Sequence, residues 1–339
     1  MITPPTTQVL IGEAANFLAA VEKASLLATV NRPVLIQGER GTGKELFAER
    51  LHYLSARWQH PLIKINCASF SPQLLESELF GHEAGAFTGA KQRRLGKFER
   101  ANGGTLFLDE IATLTLEAQE KMLRLIEYGQ FERLGGQQVQ QIDIRVIGAS
   151  HQCLKKAVQQ GQFRADLLDR LAFDVVHVPP LSARQDDILP LAEHFAIRWQ
   201  QEQKISYFGG WSTFAKQALL NYTWPGNVRE LKNVVERSLY HHGKNTPVDQ
   251  VILDPFQAPW SSPESDSNVS TPRRQASDIT FPLDFTQQQD QFSRDLIKQA
   301  LAFYQYHQKH TAQGLNLSYD QLRGLMKKYD IHRKINTRG

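Results

Sequence analysis

The stretch Val34-Leu35-Ile36-Gln37-Gly38-Glu39-Arg40-Gly41-Thr42-Gly43-Lys44-Glu45 decides the fold. Val34-Leu35-Ile36 is a short apolar, partly β-branched run, the pattern of a buried parallel strand. Gly38 to Lys44 matches G-x-x-x-x-G-K, and the apolar register resumes at Leu46 and Phe47, which predicts a helix starting near Gly43. Strand, glycine loop and helix start in that order make a polyphosphate site. Backbone N–H groups of Gly38, Glu39, Arg40, Gly41, Thr42 and Gly43 can face phosphate oxygens. The helix N-terminus adds partial positive charge, and Lys44 adds a full one. Where a magnesium-binding Ser or Thr usually follows the lysine, Glu45 stands. It is either a water-mediated metal ligand or a helix-N-terminal acid with no metal role.

A second constellation lies about sixty-five residues on, at the spacing expected of the partner motif. Gly103-Gly104-Thr105-Leu106-Phe107-Leu108-Asp109-Glu110 is an apolar strand ending in two carboxylates. Phosphoryl transfer needs carboxylates at two different points, and this pair supplies them. Asp109 would hold Mg2+, and Glu110 would polarise the attacking water. An acidic strand end alone often only caps a helix; behind the Lys44 loop it reads as ATP hydrolysis.

The 339 residues suffice for two or three domains, and 41% hydrophobic with 22% charged residues is ordinary for a soluble chain. No apolar run approaches the ~18–20 residues of a membrane span, and Met1-Ile2-Thr3-Pro4-Pro5 is no signal peptide. Two cysteines, Cys67 and Cys153, make no disulfide framework, so a reducing cytoplasm with both thiols buried is expected. The net charge of +4 is mild, but Ser318 to Gly339 holds six Lys/Arg against two Asp.

Residues 1–11 read as a polar tail. Over 12–178, strand-like and helix-like segments alternate, the mark of an α/β unit with a parallel sheet. Its candidate strands are Val34–Gln37, Leu62–Asn66, Thr105–Leu108, Ile144–Ala149 and Asp174–Val178. Over 179–256 the spacing is helical, at Asp187–Gln201, Ser212–Tyr222 and Asn227–His241, so a small helical domain follows. Residues 257–284 turn to Pro, Ser, Thr, Asp and Gln and read as a linker. Helical patterning returns over 285–339. There, Phe292–Tyr304, Thr311–Leu315 and Ser318–Tyr329 read as three helices, with Asn316 able to take a left-handed turn and Ser318 a good N-cap.

Three further stretches complete the picture: Glu78-Leu79-Phe80-Gly81-His82-Glu83, Gly85-Ala86-Phe87-Thr88-Gly89-Ala90, and the arginine-bearing Phe163–Leu171 and Trp224–Leu231. With the phosphate loop, they resemble the bacterial enhancer-binding proteins, AAA+ activators of sigma-54 RNA polymerase, and within them the branch that controls the phage shock operon. The Gly85–Ala90 hexapeptide is the most specific of these signatures, and the likeness covers about Gly12 to Pro255. It implies an AAA+ P-loop NTPase with a helical lid and a C-terminal Fis-type helix-turn-helix. No receiver or sensor domain is expected ahead of Gly12.

The likeness also implies roles. Asn66 would pair with the catalytic glutamate, Arg164 and Arg170 would form the finger region, and Arg229 the second sensor. Gly85, Ala86, Phe87, Thr88, Gly89 and Ala90 would contact sigma-54. Ser318, Tyr319, Gln321 and Arg323 would meet upstream enhancer DNA, and Lys327, Lys328, Arg333 and Lys334 its phosphates. A ring, expected to be a hexamer, follows from a finger that serves a neighbour's nucleotide, and a PspA-type negative regulator would act in trans, with Trp58 either a contact for it or a core residue. One departure stands out: Ala149-Ser150-His151 replaces the family's Ala-Thr-Asn. Ser150 keeps a hydroxyl, but His151 cannot offer an amide's paired donor and acceptor, so hydrolysis with altered coupling is expected. Two rivals remain at this stage. One is a protein- or DNA-remodelling AAA+ motor that ignores sigma-54, and the other a passive DNA-binding regulator.

Overall fold

In the computed structural model the described residues are 10–204, 207–242, 246–256, 285–304, 307–329 and 331. They belong to two compact units, Met1–Gln257 and Ala258–Gly339. The linker expected over 257–284, and Arg333 and Lys334, lie outside the described residues.

The first unit is organised on five strands: β1 (Val34–Gln37), β2 (Leu62–Asn66), β3 (Thr105–Asp109), β4 (Arg145–Ser150) and β5 (Val175–His177). Their order across the sheet is β2-β3-β4-β1-β5, every pair parallel. These are the five apolar runs read from the sequence, with ends shifted by a residue in three of them. Alternate residues feed opposite faces. Leu35, Leu106, Leu108 and Val146 pack under α3 (Pro72–Phe80), α4 (Leu116–Tyr128), α5 (Leu154–Gln159) and α6 (Ala165–Leu171). Val34, Ile36, Phe107, Ile147 and Ala149 pack under α1 (Ala15–Ala28) and α2 (Lys44–Tyr53). Covered on both sides, the strands can be apolar throughout.

One buried cation ties this second layer together. Arg145, at the start of β4, donates to the carbonyls of Leu27 (2.7 Å), Ala28 (3.0 Å), Arg32 (3.1 Å) and Leu51 (3.4 Å). Leu27 and Ala28 close α1, and Leu51 lies in the last turns of α2, so the guanidinium meets carbonyls at the negative ends of two helices. Burial lowers its pKa to about 10.

Two antiparallel hairpins stand outside the main sheet. Gly81–His82 pairs with Arg94–Leu95, and Gln130–Glu132 pairs with Val139–Gln141. A bridge between His82 and Leu134 brings them side by side. Beyond β5, α7 (Ile188–Gln203), α8 (Thr213–Asn221) and α9 (Asn227–His242) pack round Leu191, Ala196, Trp211, Leu219, Trp224 and Leu231. This is the small helical domain expected from the periodicity.

The second unit, taken by itself, holds α10 (Phe285–Phe303), α11 (Gln308–Gly314) and α12 (Tyr319–Lys328). Ile297, Leu301, Ala312, Leu322 and Met326 form its core. Asn316 takes the left-handed conformation, φ 57°, between α11 and α12. Ser318 caps α12 in a reciprocal box with Gln321. The first helix starts at Phe285 rather than Phe292, and the second at Gln308 rather than Thr311, because polar glutamines carry both starts and leave no apolar period to read.

One expectation is overturned. Cys67 is buried but Cys153 is exposed, since it precedes Leu154 at the N-cap of a short surface helix. Among the described residues no helix is long and apolar enough to cross a membrane.

Replacing Arg145 with methionine keeps the volume and orphans buried carbonyls. Urea denaturation should show a loss of about 3 kcal/mol, whereas Arg198→Met, which breaks an exposed pair with Glu202, should cost about 1 kcal/mol or less.

Candidate active site

The phosphate loop follows β1 directly, anchored where Gly38 N–H donates to the Ser150 carbonyl of β4 (3.2 Å). The Thr42 hydroxyl closes the turn on the Glu39 carbonyl (2.9 Å). Lys44, the first residue of α2, is buried, and its ammonium donates to the carbonyls of Gly38 (2.9 Å) and Glu39 (3.1 Å). Burial lowers its pKa, and the charges of Glu110 and Asp109 partly offset that. Gly41 has φ +79°, and a Cβ there would lie 2.2 Å from the Gly226 carbonyl. No other residue allows the lid this close to the loop.

Asp109 ends β3 and Glu110 leaves it with φ 55°, a left-handed turn that is costly for a non-glycine residue and that turns the carboxylate away from the strand. The Glu110 N–H donates back to Asp109 Oδ1 (3.1 Å). Burial first, and the Glu110 charge second, raise the Asp109 pKa. Lys44, Asp109 and Glu110 are therefore brought together as expected.

Other expected residues are placed differently. Asn66 does not reach Glu110: its Nδ2 donates to Asp109 Oδ2 (3.3 Å), and its Oδ1 accepts from the Ala68 N–H (2.9 Å). The neighbour of Glu110 is His151, whose Nδ1 meets Glu110 Oε2, while Arg40 Nε stands 3.9 Å from Oε1. The Ser150 hydroxyl is turned into a local bend, donating to the Gln152 carbonyl (3.0 Å) and accepting from its N–H (3.0 Å). Glu45 pairs with Lys64 (2.8 Å), as does Glu49. Arg164 forks onto Asp166 (3.1 and 2.8 Å) and Arg170 bonds Glu127 (2.7 Å). Neither arginine contacts Lys44, Asp109 or Glu110.

Beside Arg229, the lid closes over this loop through residues that the sequence did not reveal. Asn227, fully buried with φ 54°, donates from Nδ2 to Glu39 Oε2 (2.9 Å) and the Arg40 carbonyl (3.1 Å). Its Oδ1 accepts from the Leu181 N–H (2.7 Å). The Arg229 backbone N–H donates to the Gly41 carbonyl (3.2 Å). Asp187 accepts from the N–H groups of Glu13 (2.6 Å) and Ala14 (2.9 Å) at the head of α1. Arg184, over the Phe17 ring, reaches the Thr42 carbonyl (3.4 Å). The only hint was Trp224-Pro225-Gly226-Asn227, a turn sequence with asparagine at a position where left-handed backbone is favoured.

The Gly85–Ala90 hexapeptide rides on the first hairpin. Gly85 N–H to Ala90 carbonyl (2.8 Å) and Ala90 N–H to Phe87 carbonyl (3.0 Å) close its base. Gly85 and Gly89 take φ +86° and +107°. Thr88 is exposed, and Phe87 is 42% exposed with its ring 5.0 Å from His82. Gly135 of the second hairpin lets Ala86 approach, for a Cβ there would lie 2.7 Å from that of Ala86.

A parallel sheet, a phosphate loop, a strand-end acid pair and a helical lid define a AAA+ nucleoside triphosphatase. Residues 10–177 match the sigma-54 interaction domain and residues 182–259 the AAA+ ATPase lid domain. The chain is 54% identical to the Psp operon transcriptional activator of Escherichia coli over 95% of its own length and 98% of that protein's. It is 44% identical to the transcriptional regulatory protein ZraR of Klebsiella oxytoca, but covers only 53% of it. The solved structure of NtrX from Brucella abortus in complex with ATP aligns with TM-score 0.66 and 29% identity, over 96% of this chain and 70% of that one. The chain belongs to the AAA+ sigma-54-dependent transcriptional activators. It is an ATPase of that family and carries its sigma-54 interaction domain.

Asn227→Gly keeps the left-handed backbone and removes the side-chain clasp. Steady-state kinetics should show the KM for ATP raised about tenfold, the equivalent of roughly one hydrogen bond of 1.4 kcal/mol, with kcat little changed.

Proposed function

We propose that the chain binds upstream enhancer DNA, assembles as a hexameric ring and uses ATP hydrolysis between subunits to drive Gly85–Ala90 against sigma-54, so that closed polymerase complexes open, at the phage shock operon among others. The observation that carries this reading is the hexapeptide's presentation: two left-handed glycines hold an exposed Phe87-Thr88 tip on a hairpin inserted just ahead of β3. A partly apolar tip held in water is a contact surface.

In this reading Gly38–Glu45 hold the triphosphate and Lys44 neutralises it. Glu110 takes the proton of the attacking water as its oxygen bonds the γ-phosphorus and the bond to ADP breaks. The donor set fits Mg2+ of the nucleotide-borne kind. Among the described residues no three metal-ligating side chains cluster; in this reading Asp109 would hold the ion. Its chemistry is charge neutralisation; Glu45, tied to Lys64, is not needed for it. Asn66 orders Asp109 rather than Glu110. Arg164 and Arg170, each on an acid of its own chain, are offered as fingers to a neighbour's phosphate, and Arg229 as the lid's sensor.

Domains in this reading run 12–178, 179–256 and 285–339, the last a Fis-type helix-turn-helix with α12 in the major groove. Arg323 and Lys327 are exposed on α12. Tyr319 bonds Gln308 (3.1 Å), Lys328 pairs with Asp290 (2.9 Å), and Gln321 serves the cap with Ser318. Arg323 and Lys327 are therefore the better DNA contacts. Trp58, 55% exposed, is the contact proposed for a PspA-type negative regulator. A cytoplasmic location follows from the proposed DNA and polymerase partners.

Open-complex formation on a sigma-54 promoter with the full chain and ATP tests the core of this. Thr88→Ala should hydrolyse ATP at the wild-type rate without opening the promoter, and Glu110→Gln should do neither. Wild-type hydrolysis without opening would replace sigma-54 remodelling by another motor activity. For DNA, Arg323→Ala with Lys327→Ala should weaken enhancer binding and lower the slope of log K against log salt by about 2.

A further inference from the structure

Strands β3 and β4 run in parallel register with Leu108 opposite Gly148, so their C-terminal ends leave the sheet side by side. The residues just beyond are Glu110 and His151. Four observations set what His151 does there. Its Nδ1 meets Glu110 Oε2. The Ser150 hydroxyl, the other polar group of that strand end, is fully buried and engaged with Gln152 in both directions. Asn66, the residue expected to hold Glu110, is engaged with Asp109 instead. Of the cations near Glu110, Lys44 is engaged with the carbonyls of Gly38 and Glu39, and Arg40 stands 3.9 Å away on a side chain 69% exposed, where water screens it.

We infer that His151 is the positioning residue of the catalytic base, its imidazole Nδ1–H holding Glu110 through Oε2 and leaving Oε1 to take the proton of water. The assignment rests on the reading of Glu110 as that base. An ionised carboxylate only accepts hydrogen bonds, so the proton shared with it sits on imidazole Nδ1. The hydrogen bond fixes a side chain whose backbone is already held in the left-handed region, and the two constraints together leave Glu110 one direction in which to point. Asn66 is thereby freed to order the metal-binding acid, so the two carboxylates have separate holders.

Bond counting makes the inference testable. The Nδ2 of an asparagine lies as many bonds from Cα as imidazole Nδ1, while the glutamine amide lies one bond further out, where Nε2 is. Steady-state ATP hydrolysis by the full chain should therefore fall about tenfold in kcat for His151→Ala, with KM within about twofold. His151→Asn should keep kcat within about threefold of wild type, and His151→Gln should stay with the alanine variant. Equal kcat in wild type and His151→Ala overturns the inference, as does a rise in KM alone, which would place the imidazole on the nucleotide. Should His151→Ala fail to fold by thermal unfolding, the asparagine and glutamine variants decide between them, and equal activity there overturns it. Glu110→Gln beside a fluorescent ATP analogue separates the two levels. If that variant binds and still hydrolyses, Glu110 is not the base and the reading of the site falls with it. If it binds without turnover while His151→Ala is fully active, only the role of His151 is lost.

Discussion

Parallel pairing of β1, β4 and β3 delivers three strand ends to one edge of the sheet, and the chemistry of the chain depends on that convergence. The phosphate loop leaves β1, the acid pair leaves β3 and His151 leaves β4. Because the strands lie side by side, separated by about 4.8 Å, their first residues beyond the sheet are held at distances where charges interact. Lys44 feels both carboxylates, and Asp109 feels Lys44 and Glu110 in turn. An antiparallel sheet of the same residues would alternate these ends between two edges and disperse the site.

A buried lysine, two adjacent carboxylates and a left-handed glutamate are each unfavourable taken alone. Together they offset one another in part, and the remainder is carried by the two apolar layers beneath, where residues such as Ile36, Phe47, Leu106 and Ile147 are inaccessible to water. The lid adds a second kind of support. Asn227 engages three polar groups at a point where backbone from loop and lid lie too close for any side chain on Gly41. Loop and lid are thus joined directly, through Asn227 and the Arg229 N–H at the start of α9.

Much of this was legible in the sequence, and the failures have physical causes. Strands covered on both faces read as unbroken apolar runs, which is why all five were found to within a residue at each end. Asn316 and Ser318 were found because left-handed turns and N-caps restrict residue type. Asn66 was read as the partner of Glu110, but which carboxylate an amide reaches is a matter of less than a side chain's length, and periodicity does not encode it. The Ser150 hydroxyl turned inward for the same reason. Asn227, Asp187 and Arg184 were missed because each acts on backbone groups far along the chain, leaving no pattern of neighbouring residues. Cys153 was taken as buried on composition alone, and its place ahead of Leu154 at a helix start put it in water.

Arg145 has a consequence of a different kind. Its guanidinium joins α1, α2 and β4 through carbonyl oxygens, with no acidic partner and no access for mobile ions. Such a joint does not titrate with carboxylates and is not weakened by counter-ions. The exposed charges of Arg323 and Lys327 are open to both effects. A change in ionic strength would thus act on those two side chains of α12, while the joint between α1, α2 and β4 keeps the same stiffness.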